Sequence, residues 1–165
     1  MKEVAAVPPE RGDDWVALSP DPLPVTAAST WVGRPDCGAT VTFTGTTRDH
    51  AEGRTGVERL EYEAYEGPAL RRMGVVVAAA RQRWPSIGRV VVLHRTGVVA
   101  LGDAAVVVAV GSAHRVEAFE AARFLIDEVK RTVPLWKLES WDGGQSWGLD
   151  AEPLDVEPLD EVKAR

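Results

Sequence analysis

Pro134 constrains this chain more than any other residue. It ends the longest helical pattern, SAHRVEAFEAARFLIDEVKRTV, and opens LWKLESWDGGQSWG, which reads as a hairpin turning at Asp142, Gly143 and Gly144. Proline has no amide hydrogen, and its ring collides with the preceding turn, so the helix cannot run through it. Within the helix Phe119, Ala122, Leu125, Ile126 and Val129 recur at helical spacing and are the expected buried stripe. Ser112 is its expected N-cap. Lys130 and Lys137 fall on either side of the break, beside Leu135 and Trp136.

The remaining pattern supplies a sheet for that helix. GRVVVLHRTG and DAAVVVAVG are β-branched runs of strand length, with a turn at Gly102 and Asp103. GATVTFTGTTR alternates, with Ala39, Val41 and Phe43 on one side and Thr40, Thr42 and Thr44 on the other. VERLEYEAYEG alternates again, setting Leu60, Tyr62 and Ala64 against Glu61, Glu63 and Tyr65. A helix starts at Gly67 and Pro68, carries Leu70, Met73, Val76, Val77 and Ala80 at helical spacing, and stops near Trp84 before Pro85. A short strand at Trp15 to Ser19 and a short helix ending at Gly33 precede these elements. Two main helices against a mostly antiparallel sheet, closed by a C-terminal hairpin, is an α+β arrangement.

At 165 residues the chain suits one domain with its own core. The expected division is a flexible lead over 1–14, a domain over 15–149, and an acidic tail over 150–165 that is disordered or loosely docked. The tail carries the near-repeat AEPLD and VEPLD. DHAEGRTG, polar and glycine-bearing, is an expected mobile loop. No apolar run is long enough to cross a bilayer, and MKEVAAVPPERGDDW lacks a signal-peptide core, so the expected location is the cytoplasm. A net charge of −6 argues against nucleic acid as the partner. The single Cys37 excludes an internal disulfide and a cysteine zinc site, and reads as a small buried apolar residue. His50, His94 and His114, with Asp49, have no metal-ligand spacing, so no metal is expected. Trp136, Trp141 and Trp147 read as core and interface packing.

Two places could hold chemistry. His114 and Arg115 lie in the first turn of the long helix, where the helix dipole disfavours cations. They either face solvent and pack quietly, or converge with the backbone N–H groups on an anion. Lys130 lies in the last helical turn, where a cation is favoured. Lys137 shares a strand face with Leu135 and Glu139. Both lysines are ordinary solvated cations unless the proline turn brings them into one pocket. There they would lower each other's pKa and hold a carboxylate or phosphate. Arg48 ends a strand beside the polar loop.

GATVTFTGTTRDH, ARQRWPSIGRVVVLHRTGVVALGD and VAVGSAHRVEAFEAARFLIDEVKRTVPLWKLE, with the tryptophan that follows, together resemble the large, catalytic subunit of molybdopterin synthase from about Gly38 to about Trp147. The resemblance implies an α/β hammerhead fold and a homodimer. It implies one small ubiquitin-like sulfur carrier per large subunit, giving a heterotetramer. The carrier's C-terminal Gly-Gly tail bears the thiocarboxylate, and two sulfurs pass to cyclic pyranopterin monophosphate to form the dithiolene. No resident cofactor is implied. The functional positions carried over are Arg48, His114, Arg115, Lys130 and Lys137, with Lys130 and Lys137 catalytic. Thr46, Thr47, Leu138 and Glu139 belong to the adjoining pocket-lining stretches. Thr46 and Thr47 stand where many relatives carry a basic or apolar residue before the arginine. The chain ends EVKAR rather than Gly-Gly, so a separate carrier is expected. The competing readings are a non-catalytic dimeric module that binds a phosphorylated metabolite at His114 and Arg115, and an inactive scaffold for a ubiquitin-like partner.

Overall fold

The computed structural model describes residues 6–50 and 55–149. The acidic tail and the middle of the polar loop lie outside the described residues. In chain order the elements are β1 (Asp14–Ser19), α1 (Val25–Trp31), β2 (Ala39–Thr46), β3 (Arg59–Ala64), α2 (Glu66–Arg83), β4 (Ile87–Arg95), β5 (Gly97–Ala100), β6 (Ala104–Ser112), α3 (Arg115–Thr132), β7 (Leu135–Trp141) and β8 (Gly144–Leu149). The strands make two four-stranded sheets, ordered β1-β4-β6-β2 and β5-β3-β7-β8. Every pairing is antiparallel except β1 with β4. The class is α+β, as the sequence pattern indicates.

Alternation along β4 and β6 decides which helix covers which face of the large sheet. Val90, Val92, Val106, Val108 and Val110 pack against Met73, Val76 and Val77 of α2 and Leu125, Ile126 and Val129 of α3. The intervening Val91, Leu93, Val107 and Ala109 pack on the other face against Ala28 and Val32 around α1, with Trp15. Side chains on a strand point alternately to opposite faces, so an unbroken valine run serves two cores at once. Each fully buried valine or leucine contributes about 1.5–3 kcal/mol relative to exposure.

Several features depart from the sequence pattern. GRVVVLHRTG and the residues after it form two strands, because β5 leaves the large sheet and pairs with β3. Gly97, at φ +76°, makes that turn in a conformation glycine tolerates. Ser112 ends β6, buried with its hydroxyl unpartnered among the described residues, and His114 occupies the cap position, with an extended backbone and no side-chain cap bond. Phe119 is not in the buried stripe: it is 63% exposed, and Ala118, Ala121 and Ala122 take the close contacts instead. Trp136 and Trp147 are likewise exposed rather than core, and Cys37 is half-buried.

The two sheets meet at a seam. Tyr62 of β3, Val99 of β5 and Ala105 of β6 form a small cluster there. The cleft described next opens beside it.

Candidate active site

α3 ends as the proline requires. Val133 caps it in an extended conformation, and the Leu135 N–H donates to the Val133 carbonyl at 2.9 Å, closing a three-residue turn on Pro134. The chain thereby leaves the helix on the large sheet and enters β7 of the small one. In β7 the register sets Lys137 opposite Tyr62 and Glu139 opposite Leu60. Directly paired residues point to the same face, so all four look toward the body of the protein.

Lys130 faces them from the last turn of α3. The end of β2 supplies Thr46, and Arg48 and His50 follow it. These side chains, with Leu60, Tyr62, Lys137 and Glu139, line one cleft of about 300 Å³. The structure therefore brings together Arg48, Lys130 and Lys137, with Thr46 and Glu139. Neither Lys130 nor Arg48 has a carboxylate partner among the described residues. A concave, cation-rich lining of this kind suits an anion or the carboxyl end of a peptide.

Thr47 and Leu138 do not line the cleft. Thr47 is buried at the β2 end, its N–H donating to Asp103 O at 3.1 Å and its hydroxyl unpartnered among the described residues. Leu138 points to the opposite strand face from Lys137 and is buried. His114 and Arg115 lie elsewhere on this chain. They start the helix that Lys130 finishes, and at 1.5 Å per residue Arg115 stands about 22 Å away along the axis. The sites at the two ends of α3 are separate on a single copy.

His50, Leu60 and Tyr62 line the cleft without having been singled out for it from the sequence. Alternation in VERLEYEAYEG put Leu60 and Tyr62 on one face, but only the β3–β7 register shows that Lys137 shares it. His50 Nδ1 lies 2.7 Å from Asp49 Oδ1. This hydrogen bond holds the Asp49 carboxyl below the usual aspartate range.

The family model described as MoaE protein matches residues 18–132. The chain belongs to the MoaE family. A relative in Taeniopygia guttata, named molybdopterin synthase catalytic subunit, is 42% identical over 146 residues, covering 87% of this chain and 94% of its own. One of the same name in Drosophila willistoni is 42% identical over 143 residues, covering 86% of this chain, which spans 38% of that longer protein. A crystal structure of molybdopterin synthase from Staphylococcus aureus superposes with a TM-score of 0.74 at 32% identity, covering 79% of this chain and 94% of its own. The MoaE match includes β2, Arg48, His50, the α3 start and Lys130; Lys137 lies five residues beyond its end.

Proposed function

We propose that this chain is the catalytic subunit of a molybdopterin synthase. It moves sulfur from the thiocarboxylated C-terminus of a small ubiquitin-like carrier to cyclic pyranopterin monophosphate, building the dithiolene. The reading rests on the relatives' names, and on one observation above all: Arg48, Lys130 and Lys137 share a cleft that the proline turn creates. A carrier tail entering between Lys130 and Lys137 meets an ammonium group on each side. Both stabilise negative charge developing at the terminal carbonyl and at the pterin carbon under attack, and either can move a proton. The word "subunit" in the relatives' names fits a separate carrier.

The substrate phosphate needs a further grip, and His114 and Arg115 provide it from a second copy. β2 pairs only with β6 among the described residues, so its outer edge is open. Beside it runs an apolar groove lined by Val41, Phe43, Phe119 and Ile126. Ala39, at one end of β2, pairs with Ser112 near the start of α3; Thr46, at the other end, lies at the cleft. A two-fold axis through the middle of this edge carries the partner's helix start toward the cleft. The assembly is then a homodimer of this chain with one carrier on each copy.

Lys130→Ala tests the reading. Supplied with thiocarboxylated carrier and pterin precursor, the variant should lose about 10²–10⁴-fold in dithiolene formation. A variant that works at the normal rate removes Lys130 from the chemistry. A wild-type protein that binds a phosphorylated metabolite but no carrier identifies a binding module instead.

A further inference from the structure

Besides its arginine and lysines, the cleft holds a histidine. His50 lines its mouth beside Arg48, and Asp49 grips the imidazole at 2.7 Å. A carboxylate accepts hydrogen bonds and cannot donate them, so the Nδ1 of this pair carries the hydrogen. In the neutral ring the lone pair then sits on Nε2, the tautomer a carboxylate-oriented base requires. Among the described residues, the charged and titratable groups facing His50 are Arg48 and Asp49 on its own segment, Lys130 on α3, Lys137 and Glu139 on β7, and Tyr62 on β3. Of these side-chain types only histidine ordinarily changes charge near neutral pH, which is where a general base is most effective.

Sulfur transfer creates a task for such a base. Once the thiocarboxylate sulfur has bonded to the pterin carbon, it still bonds the carrier's acyl carbon. Release needs an oxygen nucleophile, and water supplies it. We propose that His50, oriented by Asp49, is the general base for the water that cleaves the carrier from the transferred sulfur. The water oxygen bonds to the acyl carbon as one of its protons passes to His50 Nε2. The carbon–sulfur bond breaks with its electron pair on sulfur, leaving a pterin thiolate. The carrier departs as a carboxylic acid that loses its second proton to solvent. No oxidant or reductant is involved. Lys130 and Lys137 hold the acyl oxygen during this step, as in the reading above, on which the proposal rests.

Both residues of the pair are well exposed, at 65% for His50 and 77% for Asp49, so substitution leaves the fold intact. His50→Gln should retain carrier binding and circular dichroism while slowing turnover about 10²–10⁴-fold. It should also accumulate a covalent carrier–pterin adduct, visible by mass spectrometry in a single turnover. His50→Gln should also lose the acid limb that a general base imposes on the pH–rate profile. Asp49→Asn should slow turnover less and keep the limb. A His50→Gln protein with the wild-type rate and profile, or one slowed without adduct, overturns the assignment. If wild-type protein makes no product from thiocarboxylated carrier, the sulfur-transfer reading itself has failed.

Discussion

Adding one methyl group at each of two glycines should move stability in opposite directions. Gly111 lies in β6, paired with Thr40 of β2, with its Cα against the end of α1. A Cβ there would overlap the Val32 carbonyl oxygen and sit 3.3 Å from the carbonyl carbon. The obstacle is backbone, and Val32 is fully buried, so no side chain can swing away. Relief requires roughly 1 Å of movement between a central strand and a helix end, an overpacking defect costing about 2–3 kcal/mol. Gly74 lies in the body of α2 with nothing within 4 Å of a built Cβ. Alanine there gains helix propensity, about 0.5–1 kcal/mol. For a chain of this size 1 kcal/mol shifts Tm by about 2–4 °C. Gly111→Ala should therefore melt about 4–12 °C below wild type, and Gly74→Ala about 1–4 °C above it, by calorimetry under one buffer. If Gly111→Ala melts with the wild type, or both variants move the same way, close backbone approach is not what fixes α1 to the large sheet.

Other expectations follow from single contacts. Lys137→Ala should reduce dithiolene formation about 10²–10³-fold with little change in Tm, because it removes a charge facing the cleft rather than core volume. Phe119→Glu should leave the melting temperature of the isolated chain within about 1–2 °C, since the side chain is exposed, yet abolish self-association by analytical ultracentrifugation. A dimer that survives the substitution places the copy interface elsewhere. The Arg34 guanidinium hydrogen-bonds Asp36 and holds its carboxyl below the usual aspartate range. A lowered folded value contributes stability above the unfolded aspartate range, and that contribution disappears as pH falls through the folded value. Arg34→Ala should flatten the decline in unfolding midpoint below about pH 5, and an unchanged slope contradicts the pairing.

Much of the fold is written in local pattern. The valine runs of β4 and β6 read as strands because β-branched side chains fit a pleated surface, and Pro134 dates the end of α3 by removing a donor. The partition into two sheets is not local. β5 turns away at Gly97 to meet β3, and only the long-range register reveals it. Phe119 lies outside the buried stripe because helical spacing identifies apolar positions without saying which neighbour covers them. Arg48, Lys130 and Lys137 were legible as candidates from residue type and resemblance. Their company in one cleft, and the distance of His114 and Arg115 from it, depend on strand pairing and helix length.

Lys130 and Lys137 are close in the chain but mounted on different platforms. One rides the helix packed on the large sheet; the other rides the small sheet, and the turn at Pro134 is their common joint. The gap between the two ammonium groups is consequently set by how the two sheets pack on each other, through Tyr62, Val99, Ala105 and the buried Leu135. A substitution at Val99, which lines no part of the cleft, would therefore still be felt at the lysine pair.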